Sequence, residues 1–229
     1  MRLALLAALV LPPLLPLNAA AQDDYTLFGA GLRTRPTFDG SSDRTVDLIP
    51  VVRYYGRPWF ARTTQGILEG GARWNLQPGL DSGVQLAYEQ GPRDHDPDAS
   101  LGVHLEADRM IGPAPVNALL RLRQHLNTNR GSELDARATV GVYGSGGLAA
   151  GLFAQATWAS EKFFEAYYGV HESGLLFVSL GALGSFDLAR RWTLVGGIER
   201  RHLSDQATRS PIVERRSAVY ANAGIAYRF

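Results

Sequence analysis

A chain of 229 residues, 45% hydrophobic and with a formal charge of only +1 from 23 basic and 22 acidic side chains, can form one substantial domain but offers no basic excess for nucleic acid. The absence of cysteine excludes a disulfide framework, a cysteine-held metal and a lipid anchor attached to cysteine at a cleavage point. Beyond the N-terminal segment no apolar run is long enough for a spanning helix, so a membrane protein with this sequence has to be a barrel, whose closure satisfies every backbone polar group in lipid.

Residues 1–21 read as a secretory signal for Sec-type export. Arg2 supplies the positive start, Leu3 to Leu17 an apolar run broken by Pro12, Pro13 and Pro16, and Ala19-Ala20-Ala21 a small-residue cleavage site. The mature chain is then expected from Gln22, with residues 22–229 forming one domain.

That domain alternates from its start. Residues 25–34 place Thr26, Phe28, Ala30 and Leu32 on one face and Gly29, Gly31 and Arg33 on the other, as a first strand requires. A polar loop at 35–44 leads to a strand over 45–55, with Val46, Leu48, Val52 and Tyr54 opposed to Asp47 and Arg53. Gly56-Arg57-Pro58 turns the chain into a short strand at 59–64. Gln65-Gly66 allows a hairpin into 67–76, where Leu68, Ala72 and Trp74 oppose Glu69 and Arg73. Pro78-Gly79 precedes 81–90, and the charged loop 91–100 is too polar for hydrocarbon.

The second half repeats the pattern. Residues 101–110 carry Leu101, Val103, Leu105 and Ala107 against His104, Glu106 and Asp108. After a turn at 112–115, residues 116–125 carry Ala118, Leu120 and Leu122 against Arg121, Arg123 and His125. This hairpin is expected to set an acidic inward stripe against a basic one. A polar loop at 127–133, a strand at 134–143, a turn at 144–147 and a strand at 148–158 follow. Residues 159–174 read as a long loop with an aromatic core of its own. Strands at 175–188 and 192–202, a polar loop at 204–216 and a closing strand at 217–229 end the chain.

The expected fold is all-β: an antiparallel transmembrane β-barrel of about twelve strands, each near the roughly ten residues that a tilted strand needs to span a bilayer. Ten strands result if the hairpin at Gln65 is lost, and fourteen if residues 163–170 form a strand. With both termini in the periplasm, the turns near 56, 78, 113, 145 and 190 fall on one side and most long loops on the other. A soluble β-sandwich would also alternate. It would bury large aliphatics, whereas these apolar faces are rich in alanine and carry Trp74, Trp158 and Trp192 near strand ends, as at membrane interfaces. In the last strand Val219, Ala221, Ala223, Ile225, Tyr227 and Phe229 share one face, a closing-strand pattern that ends on an aromatic and is read by the barrel-assembly machinery.

Three segments carry a resemblance to a known family. The opening YTLFGAGLRTRPTFDGSSDRTVDLIPVVRYY, the central FFEAYYGV, and SPIV at Ser210 to Val213 followed by AGIAYRF together resemble the MipA/OmpV family of outer-membrane proteins, in the family's order. The resemblance implies a barrel in the Gram-negative outer membrane. The family's name-giving member is described as a scaffold joining a murein-degrading lytic transglycosylase to a murein-synthesising penicillin-binding protein, and other members are linked to osmotic response or adhesion. It implies no diagnostic site residues.

The residues themselves point to no catalytic, cofactor-binding or metal site. His104, Glu106 and Asp108 alternate on one strand and carry metal-ligand atoms, but their side chains diverge and the facing arginines repel a cation, so ion pairing is the expected role. His202 and Ser204 are the nearest approach to a lipid-cleaving pair, which needs mutual hydrogen-bond reach and a third orienting group. His95, His125 and His171 carry no spacing signal. The inward charges Asp47, Arg53, Glu69, Arg73, Glu89, Glu106, Arg121, Arg123, Asp135, Arg137, Glu199 and Arg201 would fill much of a twelve-strand interior. The expected role is therefore a non-enzymatic structural or scaffolding barrel, with a narrow selective channel and a lipid-modifying hydrolase as the alternatives.

Overall fold

The computed structural model describes residues 26–90 and 97–229; residues 1–21, expected as a secretory signal, and His95 lie outside them. Twelve antiparallel strands close into a barrel. They are β1 (Leu27–Pro36), β2 (Arg44–Tyr55), β3 (Trp59–Thr64), β4 (Ile67–Gln77), β5 (Leu80–Glu89), β6 (Asp98–Ile111), β7 (Ala114–His125), β8 (Ser132–Ser145), β9 (Leu148–Ala159), β10 (Gly174–Ala189), β11 (Trp192–Leu203) and β12 (Ser217–Arg228). Each pairs with its sequence neighbours, and β1 pairs with β12 from Leu27↔Arg228 to Thr34↔Ala221. The hairpin at Gln65 is present, so the strand count is the expected one.

Strand period explains an inside-out distribution. Outward positions are apolar and open to lipid, with Leu48, Phe28, Leu180 and Ile198 each more than half exposed, while Glu69, Arg121 and Asp135 inside are at most 2% exposed. Such a surface is stable only with hydrocarbon around it. Aromatic side chains gather at the end that holds the short turns. There Trp192 meets Tyr227 edge-on at 5.3 Å, and Tyr227 meets Phe229 at 5.0 Å. Trp59 and Trp74 are also outward and exposed.

Two local features shape the lumen. At the β1–β12 seam a Cβ on Gly29 would lie 2.0 Å from the Ile225 carbonyl oxygen, so only glycine allows the two strands to approach this closely. The second feature is the short β3. It pairs with β2 only through Arg53↔Arg62, Tyr54↔Ala61 and Tyr55↔Phe60. Beyond those pairs the hairpin tip leaves the wall and turns inward, where Gln65 adopts a positive φ of 52°.

One element departs from the sequence reading. Residues 161–168, expected as loop, form helix α1 (Glu161–Tyr168), ended by Gly169 in the left-handed region, whose N–H donates to the Glu165 carbonyl while the next N–H, of Val170, donates to the Phe164 carbonyl. Phe163, Phe164, Tyr167 and Tyr168 fall at i, i+1, i+4 and i+5, so one helix face is aromatic. Phe163, Phe164 and Tyr168 pack on Ala159, Leu176, Phe177, Leu203 and Ala207, which is the expected aromatic core in helical form. Among the described residues no helix is long and apolar enough to cross a membrane.

Candidate functional site

The lumen is crossed by a belt of charged side chains contributed by strands that are not neighbours. Arg121 on β7 donates Nε and Nη2 to Asp135 Oδ2 on adjacent β8 at 2.9 and 2.7 Å, and its Nη1 donates to Glu69 on β4, three strands away. Arg62 on β3 bridges Glu69 at 2.8 Å and Glu106 on β6 at 2.9 Å. From the inward-turned hairpin tip, Gln65 Nε2 donates to Glu199 on β11 at 2.9 Å, and the Gln65 carbonyl accepts from Arg33 Nη1 at 2.6 Å. Arg33 and Arg35 both pair with Asp47. A charge this deep costs several kcal/mol unless paired, and the belt meets that cost by giving its charges partners from two directions.

The expected pairing of the β6 and β7 stripes is not what forms. Antiparallel register sets His104 opposite Arg121, Glu106 opposite Leu119 and Asp108 opposite Asn117. The acids of β6 lie toward the turn and the arginines of β7 away from it, so the two groups miss each other. Arg121 and Arg123 turn instead to β8, β4 and β5. His104 bonds Gln85 Oε1 through Nδ1 at 2.8 Å and packs edge-on against Phe60, Glu106 takes Arg62 and Asn117, and Asp108 takes Asn117. This trio is not gathered around a common point.

Toward the end that carries the longer loops, the belt opens into a cavity of about 300 Å³. Arg123, Glu133 and Asp98 line its floor with Arg201 and Asp39, and Tyr167 and Phe163 of α1 lie above. Arg201 bonds Glu199 at 2.8 Å and Asp39 at 3.2 Å and stacks over Phe177 and Tyr220. Burial raises the Asp39 carboxyl above its ordinary value, against the pull of Arg201. Burial also pushes the Tyr168 phenol well up.

The loops over this mouth are tied together. Glu214 and Arg215 donate backbone N–H groups to the Gly40 carbonyl at 2.8 and 2.9 Å, and Ser42 N–H donates to Glu214 Oε2 at 3.0 Å. The Ser210 hydroxyl donates to the Tyr168 carbonyl, so the SPIV segment is fastened to the FFEAYYGV helix. Two segments far apart in sequence therefore form one cap.

His202 and Ser204 do not meet. His202 is on the lipid face, its Nδ1 2.7 Å from Ser217 Oγ, whereas Ser204 is buried and accepts the Ala207 N–H at 3.2 Å. His171 is exposed, 3.8 Å from Glu165. Sequence reasoning missed Arg62, Asp98 and Glu133. Asp98 and Glu133 sat in segments read as loops, yet they are the first residue of β6 and the second of β8, and Arg62 was hidden by its very short strand.

Among solved structures the chain is similar to the NanC porin, with a TM-score of 0.56 at 13% identity, covering 89% of this chain and all of that one. It also matches a bacterial polysaccharide outer membrane secretin, with a TM-score of 0.49 at 10% identity over 90% of this chain and 99% of that one. Outer-membrane OmpT of Vibrio cholerae matches at a TM-score of 0.42 and 8% identity, over 90% and 96% of the two chains. At these identities the NanC likeness speaks for the fold. No individually curated protein matches the sequence. The model of the family described as MltA-interacting protein MipA matches residues 28–229, the whole barrel, and the chain belongs to that family.

Proposed function

We propose that this outer-membrane barrel is a non-enzymatic scaffold whose periplasmic turns engage murein enzymes. The observation that carries the reading is the cross-lumen belt: Arg121, Arg62 and Gln65 join strands three or four positions apart, and a barrel so filled is a rigid framework rather than a conduit. Wide pores are built with more strands and unobstructed interiors. The family description names the partner, MltA, and the resemblance above implies the partner classes, a lytic transglycosylase and a penicillin-binding protein.

In this reading the long, tied loops face outward and the short turns face the periplasm, as is usual for such barrels. The surfaces offered to partners are the turns between β2 and β3, β4 and β5, β6 and β7, β8 and β9, and β10 and β11. Pull-down of envelope proteins on the folded barrel, against an unrelated barrel, is expected to recover a lytic transglycosylase or penicillin-binding protein. Recovery should fall when the turn at residues 112–113 or 190–191 is replaced by a generic two-residue turn. Recovery indistinguishable from the control barrel contradicts the proposal.

A further inference from the structure

We propose that Glu89, His125 and Glu133 form a binding site for a borderline divalent transition-metal ion, of which Zn²⁺ is the probe, at the loop end of the lumen. One ligand atom from each of the three lies within 4.8 Å of the others. They come from the last residue of β5, the last residue of β7 and the second residue of β8, so the sheet itself holds them in place.

His125 makes the case stronger than a cluster of acids would. Its ring is 1% exposed, and Nδ1 sits 2.7 Å from Asp98 Oδ2. A carboxylate at Nδ1 fixes that nitrogen as the donor and directs the Nε2 lone pair to the other side, the arrangement by which proteins orient a metal-binding imidazole. Nε2 is buried and makes no hydrogen bond; the nearest acid is Glu133 Oε2 at 3.4 Å. Nε2 and the Glu133 carboxylate repel each other unless a proton or a metal ion lies between them. A divalent ion binds there by displacing that proton.

The surrounding charges permit it. Arg123 donates to Glu133 at 2.8 Å and Glu89 at 3.3 Å, and Arg130 pairs with Asp98 at 3.2 Å, so two guanidiniums stand against three carboxylates. Arg123 engages Oε2 of each glutamate. Phe163 and Tyr167 of α1 place their rings 5.9 and 6.3 Å from the imidazole and shield the site from the outside. One imidazole with two carboxylates suits Zn²⁺ or its first-row neighbours, whereas Mg²⁺ and Ca²⁺ prefer oxygen alone.

The test is calorimetric titration of Zn²⁺ into the full barrel folded in detergent, with folding checked by heat-dependent gel mobility. The wild type is expected to bind one ion per barrel, undisturbed by millimolar Mg²⁺. Asp98→Asn, which keeps the ligands but loosens the imidazole, should weaken binding about 10–100-fold. Glu89→Gln, at a partly exposed position, should weaken it at least as much, and His125→Ala should abolish it. In Cu²⁺ spectra the coupling to one imidazole nitrogen should vanish in His125→Ala, while the lipid-facing His202→Ala should leave binding and spectrum unchanged. Absence of saturable Zn²⁺ binding by the wild type, or binding unaltered in folded Glu89→Gln and Asp98→Asn barrels, overturns the proposal.

Discussion

Arg121→Glu is expected to destabilise the barrel by at least about 3–5 kcal/mol, the usual cost of breaking a buried ion pair from one side. Arg121 is 2% exposed and serves two carboxylates, Glu69 and Asp135, that are themselves 0% and 2% exposed. The substitution puts three acids together in a dry belt and removes a bridge between strands three positions apart. Urea unfolding in lipid vesicles, followed by tryptophan fluorescence, measures the loss. Adding Asp135→Asn should recover part of it, because Asp135 is the adjacent-strand partner, whereas adding Asp108→Asn should recover none. An unchanged midpoint for Arg121→Glu, or rescue through Asp108, would reject the pairing described.

Phe164→Ala is expected to cost about 3–5 kcal/mol, the range for truncating a fully buried aromatic. Phe164 is wholly buried at the centre of the cluster that joins α1 to β10, β11 and the loop after β11. Its loss should act mainly on the cap, because the wall strands below keep their ladders. Protease accessibility is the discriminating readout: cleavage in the loops at 160–173 and 204–216 should accelerate tenfold or more, with the barrel body intact. Equal cleavage rates in mutant and wild type would show that α1 is not held by this core.

The strand order was legible because membrane strands obey a strict two-residue period, and every expected strand is present, with ends displaced by at most a few residues. Leu101, Val103 and Leu105 alternating with Gly102, His104 and Glu106 admit no other reading once the charged loop before them is seen. Helix α1 carries its own period in Phe163, Phe164, Tyr167 and Tyr168, but one face over eight residues is a weak signal inside a segment already read as loop.

What the period does not encode is register. It places Arg121 and Glu106 correctly on the inner face but says nothing of their height along the barrel, and height decides that Arg121 meets Asp135 and Glu69 rather than Asp108. The candidate metal residues were illegible for the same reason. Glu89, His125 and Glu133 belong to three strand ends, and only curvature of the closed sheet brings β5 and β7 together across β6. Their sequence spacing has no meaning before closure. The Gln65 tip is a similar case, since an ordinary hairpin and one folded into the lumen share the same turn residues.

The most direct measurement is single-channel recording of the full barrel in planar bilayers. A lumen crossed by the Arg121, Arg62 and Gln65 contacts is expected to give no steady conductance steps in the wild type. Steps should emerge when the hairpin tip is shortened by removing Gln65-Gly66 together with Thr64 and Ile67, which withdraws the contacts to Glu199 and Arg33. A steady, ion-selective conductance in the wild type, altered by substitution of Arg33 or Arg201, would contradict the framework account and make the barrel a narrow channel.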